Sequence, residues 1–328
     1  MPIPIGDTLG ILGDNCRIRK SVLPLPAKQV SDWSLGLNLP AGGETVLYTG
    51  QMYQLGPLID SMSLQLAKYE NSWITRYFGV GRAVNTVINL AGFMSHVSPG
   101  EQAAYNAPLK NIARLLQAAG VKFGALYGED LYSGALIYDE GLDSVFVSHA
   151  NLVYQTLKRK RVRHIITVDP HTTNMLKSIY PKVIAGFDIQ VNSYLEVLAE
   201  RKVKPVKKLG GEVTIHDSCI YARHEGIADQ TRTLLRESGL RIQETERSGK
   251  VTQCCGGPLE SLFPNKSTEL AKKRIEQLAD CAQEVVTSCP ICLANLRRVA
   301  SKETSIRDIS NYLVAAYCPV GNATIPQV

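Results

Sequence analysis

The sequence predicts an α/β protein made of two pseudo-symmetric units, each with a small, mostly parallel sheet. The main observation is an internal repeat. Residues 44–53, Glu-Thr-Val-Leu-Tyr-Thr-Gly-Gln-Met-Tyr, align without gaps on residues 212–221, Glu-Val-Thr-Ile-His-Asp-Ser-Cys-Ile-Tyr. Both segments are β-branched and apolar and end in turn residues, which is typical of short strands.

Two further landmarks recur in the same order. Leu115-Leu116 with Gly120 match Leu234-Leu235 with Gly239, and residues 165–170 match residues 285–290. The first pair predicts a helix that stops at a glycine before a strand. Helical patterns at 108–119 and 267–283 alternate with the strands, and this alternation favours parallel sheets.

These landmarks set the predicted domain boundaries. Residues 41–190 form the first half, with an insertion at about 55–101, and residues 212–328 form the second half. The basic segment 191–211 has the composition of a linker. Residues 1–40, with Pro2, Pro4, Pro24 and Pro26, are expected to form an irregular arm that packs across one half.

Composition excludes several classes of protein. Of the 328 residues, 45% are hydrophobic and 20% are charged, which is typical of a globular chain and not of a disordered one. There is no apolar run of about 20 residues and no secretory signal, so we expect a cytoplasmic protein without an integral membrane segment. The net charge of +6 comes without interleaved aromatic residues or a recognisable motif, so nucleic-acid binding is not expected.

Cysteines are concentrated near the carboxyl terminus, with seven of the eight at position 219 or later. A reducing cytoplasm favours metal or redox roles over disulfides. Cys219, Cys254-Cys255 and Cys289 each follow a predicted strand, at 213–216, 251–252 and 284–287. Because ligands bind beyond the carboxyl ends of parallel strands, these thiols are expected to converge.

The local sequence around the thiols favours iron and sulfur. Cys289 and Cys292 flank the proline-containing first turn of a predicted helix, where the helix dipole stabilises thiolates. The sulfurs of Cys254 and Cys255 diverge, which suits two different irons, and Gly256 lets the backbone pass close to a bulky group. A zinc site and an ordinary cubane cluster each take four ligands, whereas five thiols are present. Zinc and redox or core thiols stay as alternatives.

This cysteine pattern resembles the CCG, or cysteine-rich, domain found in heterodisulfide reductases and their relatives. In this chain 34 residues separate Cys219 from Cys254 and 33 separate Cys255 from Cys289, which fits the family motif. The segment from His216 to Cys219, with Arg223, is also similar to the family. The resemblance covers residues 44–318.

The resemblance implies that five thiolates hold one [4Fe–4S] cluster, either non-cubane or a cubane with one spare thiol. The proposed ligands are Cys219, Cys254, Cys255, Cys289 and Cys292. It further implies a catalytic subunit of a heterodisulfide reductase-like complex, passing electrons between ferredoxin-like iron–sulfur or flavin subunits and a thiol/disulfide substrate or sulfur carrier. A non-catalytic electron-transfer or assembly module, with a structural cluster or zinc, is the alternative.

The first half departs from the family pattern because it has no thiol at the corresponding positions. Gln51, Tyr132-Ser133-Gly134 and residues 169–172 stand there, so no second cluster is expected. His171 in this degenerate site is a candidate proton donor or substrate contact facing the cluster, and the alternative is that the vestigial site is packed shut. His216 is predicted to tune the cluster through a hydrogen bond to sulfur. Cys281 is expected in the core, as are the lone Cys16 and Cys318.

Overall fold

The computed structural model describes residues 3–89 and 97–318. In these residues eight strands form two four-stranded sheets, and all paired strands run parallel. The strands are β1 (Thr45–Tyr48), β2 (Gly124–Ala125), β3 (His164–Thr167), β4 (Gln190–Ser193), β5 (Glu212–Ile215), β6 (Arg241–Gln243), β7 (Glu284–Thr287) and β8 (Ser305–Asp308). The order is β2-β1-β3-β4 in one sheet and β6-β5-β7-β8 in the other. The prediction of two similar α/β units is therefore confirmed.

Helices pack around both sheets. In the first unit they are α1 (Ile5–Arg19), α2 (Ala27–Ser31), α3 (Met52–Tyr69), α4 (Phe78–Val87), α5 (Pro99–Ala118), α6 (Ala135–Asp139), α7 (Asp143–Arg159), α8 (Pro170–Asn174), α9 (Tyr180–Val183) and α10 (Tyr194–Arg201). In the second unit they are α11 (Ala228–Glu237), α12 (Pro264–Ala279), α13 (Pro290–Val299) and α14 (Ile309–Tyr317). The glycines predicted to follow two of these helices, Gly120 and Gly239, have φ of +70° and +95°.

The strands separate two hydrophobic cores because successive side chains point to opposite faces of a sheet. Val46 lies in one core and Leu47 in the other, and Val285 and Val286 are divided in the same way. Each core contains residues of both units. The first core reaches Cys255, Cys289 and Cys292, so burial extends up to the cysteine site.

The amino-terminal segment differs from the irregular arm predicted for residues 1–40. Residues 5–19 form α1, which packs against α4 and α7. The prolines do not interrupt this helix, since Pro4 occupies its N-cap position and Pro26 the N-cap of α2. The expected packing across one half is found, but as a helix.

The predicted linker 191–211 begins too early. Residues of β4 extend to Ser193 and pair with β3, and α10 continues to Arg201. Ser193 and Glu196 form a reciprocal capping box that starts α10. The first unit therefore extends to residue 201, and only residues 202–211 connect the two units.

Two tyrosines at equivalent repeat positions join the units. The Tyr53 hydroxyl donates to Asp308 Oδ2 at 2.6 Å, and the Tyr221 hydroxyl lies 2.7 Å from Ser193 Oγ. Asp308 and Ser193 are the last residues of β8 and β4, and each caps the following helix. Each tyrosine therefore bonds to the last strand of the opposite unit.

No helix in the described segments combines the length and the apolar character needed to cross a lipid bilayer.

Candidate metal centre

The loops that follow β5 and β7 bring Cys219 and Cys289 to one end of the second sheet. Cys289 is the N-cap residue of α13, with Pro290 in the first turn, as predicted. The expected strand at 251–252 is absent. Residues 249–251 form a 3₁₀ turn, and β6 ends at Gln243. Cys254 and Cys255 therefore lie on an irregular loop, more than ten residues after the end of β6 at Gln243.

All five cysteines lie in one set of contacts. The Sγ atoms of Cys255 and Cys292 are 3.2 Å apart. Hydrogen bonds also link Cys219 with Cys254, Cys254 with Cys255, and Cys289 with Cys292. The five thiols are free, and three of them are buried. The convergence expected from the strand ends is thus found in the structure.

The five thiols differ in their protonation. Hydrogen bonds from Cys219 and Cys255 lower the pKa of Cys254 to about 2. Burial opposes ionisation of Cys289, but hydrogen bonds from Cys292 and His171 bring its pKa well below the ordinary value. The pKa values of Cys219, Cys255 and Cys292 are raised, chiefly by hydrogen bonding to neighbouring thiols. Ionisation is thus favoured at Cys254 and Cys289, and metal binding would release protons from the other thiols.

Gly256, which follows the Cys254–Cys255 pair, has a backbone conformation and a close contact that other residues tolerate poorly. Its φ is +83°, and a Cβ here would lie 2.8 Å from the Ser267 carbonyl oxygen. Gly134, its counterpart in the first unit, has φ of +82°. The Gly256 N–H also donates to Cys254 Sγ at 3.3 Å. Close backbone approach is therefore built into the loop that carries two of the five thiols.

A buried ion pair ties two cysteine loops together. Arg232 binds both carboxylate oxygens of Asp217 at 2.8 Å. The same carboxylate accepts a hydrogen bond from Gly249 N–H at 2.6 Å, and the Asp217 carbonyl accepts one from Thr252 at 3.1 Å. Asp217 is two residues from Cys219, and Thr252 is two residues from Cys254. The pair therefore fixes the separation of these thiols.

His216 lies beside the thiols in a defined tautomer. Its Nδ1 accepts a hydrogen bond from Arg274 Nε at 3.2 Å, so the proton of the neutral ring lies on Nε2. Nε2 is buried without a hydrogen-bond partner among the described residues. A ring nitrogen of His216 and the Sγ atoms of Cys255 and Cys292 lie within 4.8 Å of one another. Burial and the Arg274 charge lower the pKa of His216 to about 3, which keeps the ring neutral.

The degenerate site of the first unit lies against this cluster of thiols. Asp169 caps α8 as Cys289 caps α13, and His171 follows in the first turn. His171 hydrogen bonds to Cys289, and its Nδ1 is 3.5 Å from Asp139 Oδ2. Burial opposes protonation of the ring, but these two partners raise the pKa of His171 well above its ordinary value. The structure thus places His171 facing the thiols.

Two other residues predicted for the degenerate site have mainly structural contacts. Gln51 has φ of +66° and donates from Nε2 to the Asp130 carbonyl at 2.7 Å. The Tyr132 hydroxyl accepts a hydrogen bond from Leu136 N–H at 2.7 Å. Sequence reasoning missed Asp139 and Arg274, which orient the two histidines. Of these two, only Arg274 could have been found from the sequence. It lies three residues after Ala271 and four before Leu278, a spacing that puts it on the buried face of α12.

The remaining cysteines lie outside the thiol set. Cys16 is buried in the first core, and burial raises its pKa to about 12. Cys318 packs against the second core and is half-buried. Cys281 was expected in a helix of the core, but α12 ends at Ala279 and Cys281 is only half-buried. Asp280 and Cys281 instead form the turn before β7.

The donor set fits an iron–sulfur group better than a single zinc ion. Zinc sites take four ligands, whereas five thiols are linked pairwise here and an imidazole lies beside two of them, Cys255 and Cys292. The unpartnered His216 nitrogen suits a sulfur-containing group that accepts a hydrogen bond.

Comparison with known protein families agrees with this geometry. Residues 213–297 match the profile of the cysteine-rich domain called CCG. The match runs from β5 into α13, so the segment similar to a CCG domain contains all five converging cysteines.

Curated proteins similar to this chain include iron–sulfur oxidoreductases. The EtfAB:quinone oxidoreductase of Syntrophomonas wolfei is 31% identical over 221 residues, 62% of this chain and 31% of the relative. The probable iron-sulfur-binding oxidoreductase FadF of Bacillus subtilis is 32% identical over 194 residues, 57% of this chain and 27% of the relative. One component of the dihydromethanophenazine:CoB–CoM heterodisulfide reductase of Methanosarcina mazei is 26% identical over 196 residues, 56% of this chain and 48% of the relative. The chain spans 27% to 48% of the length of these relatives.

Proposed function

We propose that this chain is an iron–sulfur oxidoreductase subunit that passes electrons between a partner and a thiol/disulfide or related sulfur substrate. The observation that carries the proposal is the continuous hydrogen-bonded set of five thiols in the segment similar to a CCG domain. Relatives named as an iron–sulfur-binding oxidoreductase and a heterodisulfide reductase support the same role.

The proposed ligands are the five cysteines of that set: Cys219, Cys254, Cys255, Cys289 and Cys292. They would hold one [4Fe–4S] cluster, cubane or non-cubane, which supplies single-electron transfer. Gly256 lets the cysteine loop pack closely on Ser267, and the ion pair of Asp217 and Arg232 holds the ligand loops at a fixed spacing.

The two histidines have different proposed roles because their protonation differs. His216 is neutral and offers its Nε2 proton as a hydrogen bond to sulfur, so it tunes the site and does not supply protons. His171 is protonated between Asp139 and Cys289, so it can give a proton to a sulfur atom of the substrate. Reduction of a disulfide takes two electrons and two protons and yields two thiols.

Electrons must come from or pass to another protein. We propose a ferredoxin-like iron–sulfur protein or a flavoprotein as the partner, as in a heterodisulfide reductase-like complex. A component of such a complex among the relatives supports this assignment. The protein is proposed to work in the cytoplasm.

The ligand assignment is tested by replacing one central thiol. Anaerobically purified wild-type protein should be brown and hold about four irons per chain. Cys255→Ser should lose most of the iron, since Cys255 contacts both Cys254 and Cys292. Cys281→Ser is the matched control and should keep the iron, because Cys281 bonds only to backbone carbonyls. A colourless wild-type protein with one zinc ion would overturn the assignment.

The catalytic role needs a second measurement. Addition of a disulfide or thiol substrate should change the electron paramagnetic resonance signal of the wild-type protein. An unchanged signal, together with an inactive complex reconstituted with its partners, would leave an electron-transfer or assembly module as the function.

A further inference from the structure

A cavity of about 240 Å³ connects the insertion of the first unit with the cysteine site. Its walls come from α1, α3 and α4. At the inner end it is lined by His171 and by Ile291, which lies between Cys289 and Cys292. At the outer end it is lined by Tyr77, which is 58% exposed, so the cavity reaches the protein surface there.

The chemistry of the walls selects for neutral, apolar molecules. Most lining side chains are apolar, including Leu55, Ile59 and Met62 of α3. No lysine or arginine lines this cavity in the described segments, whereas the carboxyl groups of Asp139 and Glu260 do. The cationic group among the described lining residues, His171, is already paired with Asp139, so the cavity offers no unpaired counter-charge to a carboxylate or phosphate. A neutral ligand gains from burial of its apolar surface.

Polar groups are concentrated at the inner end. The Tyr132 hydroxyl already accepts the Leu136 N–H bond, and its own proton has no acceptor in the described part of the chain. His171 also lines this cavity, oriented by Asp139 and adjacent to Cys289. A ligand with an apolar body and a neutral polar head would place that head next to the thiols.

We propose that this cavity binds the substrate of the complex, and that the substrate is a neutral, elongated, apolar molecule whose polar head lies at His171 and Tyr132. That the bound molecule is a redox substrate rests on the proposed function. Its binding in the cavity does not. Two sources fit the same chemistry, a neutral disulfide on an alkyl arm and a quinone-type ring with an alkyl tail.

Binding is measured by calorimetry with three probes on the anaerobic protein. Lipoamide is a neutral disulfide, decylubiquinone is neutral without sulfur, and glutathione disulfide is a charged disulfide. Gly81→Phe fills the cavity from α4, because a Cβ on Gly81 meets no heavy atom within 4 Å. Val80→Phe is its matched control on the outer face of the same helix, where Val80 is 62% exposed. Met62→Trp blocks the opposite wall if Gly81→Phe does not fold.

We expect at least one neutral probe to bind the wild type and Val80→Phe equally, and to bind Gly81→Phe or Met62→Trp at least tenfold more weakly. The inference is overturned if neither neutral probe binds, or if glutathione disulfide binds as tightly as they do. Binding to Cys255→Ser should persist without iron, so loss of the cluster and loss of the cavity site give different results. Binding of decylubiquinone without lipoamide would support the cavity and contradict the sulfur substrate of the proposed function.

Discussion

Arg274 Nε donates a hydrogen bond to His216 Nδ1 at 3.2 Å, and both side chains are buried. The guanidinium therefore keeps the proton of the neutral His216 ring on Nε2, and the ring lies beside Cys255 and Cys292. Hydrogen bonds to sulfur and nearby positive charge both raise the reduction potential of an iron–sulfur cluster. Arg274 thus acts on the thiol site through His216.

Arg274→Met should lower the reduction potential of the bound cluster by roughly 50 mV, about the energy of one hydrogen bond. An anaerobic redox titration followed by electron paramagnetic resonance measures this shift. Combining Arg274→Met with His216→Gln provides the control, because the shift should shrink once the imidazole is absent. Equal shifts in both backgrounds would show that Arg274 does not act through His216.

Arg232→Ala should destabilise the protein by about 3–5 kcal/mol, because the buried Asp217 carboxylate would lose its counter-charge. Iron content should fall as well, since Asp217 ties the loops of Cys219 and Cys254. Arg241→Ala is the matched control and should cost about 0–1 kcal/mol, since its pair with Glu212 is exposed. Urea unfolding of both variants gives the comparison, and equal costs would contradict this account of the buried pair.

Gly256→Ala should reduce both stability and iron content. Positive φ alone costs about 1 kcal/mol for alanine, and the contact with the Ser267 carbonyl oxygen adds to it. Gly226→Ala has a similar φ of +68° but meets nothing within 4 Å, so it isolates the backbone contribution. Thermal unfolding and iron analysis of the two variants should separate the clash from the strain. Similar losses in both would argue against close packing at Gly256.

Glu260 should make stability depend on pH. Burial raises its pKa to about 8, against the opposing effect of Arg298, while the unfolded carboxyl ionises near 4.5. Between these values only the folded state holds the proton, so stability falls as pH rises, by at most about 1.4 kcal/mol per pH unit. Glu260→Gln removes this contribution and should gain stability relative to wild type up to about pH 8.

The pH dependence is measured by anaerobic urea unfolding at pH 6, 7, 8 and 9. Glu276→Gln, on the exposed face of α12, should give a curve parallel to that of wild type. Parallel wild-type and Glu260→Gln curves would exclude an effect of the buried carboxyl.

The sequence predicted the parts of the fold that depend on local signals. Repeated strand patterns and the helix-ending glycines gave the two units, and Pro290 marked the start of α13. The same signals placed Cys219 and Cys289 at strand ends, where the sheet brings them together. The convergence of all five cysteines followed from this arrangement.

Features that depend on distant contacts were not predictable. The loop of Cys254 is held by Asp217 and Arg232 and not by a strand, and no spacing in the sequence shows that ion pair. The pairing of His171 with Asp139, and the cavity beside them, arise from packing between segments far apart in the chain. The end of the first unit was missed although the capping box of Ser193 and Glu196 was readable in the sequence.

The exchange of hydrogen bonds by Tyr53 and Tyr221 has the form of an isologous contact, in which each copy of a symmetric dimer gives its partner the same group. Here the two copies are joined in one polypeptide. The two subunits of a homodimer must have the same sequence, whereas two units within one chain can differ. The second unit can therefore supply the thiols, while the first unit supplies an imidazole and most of the apolar cavity beside the same site.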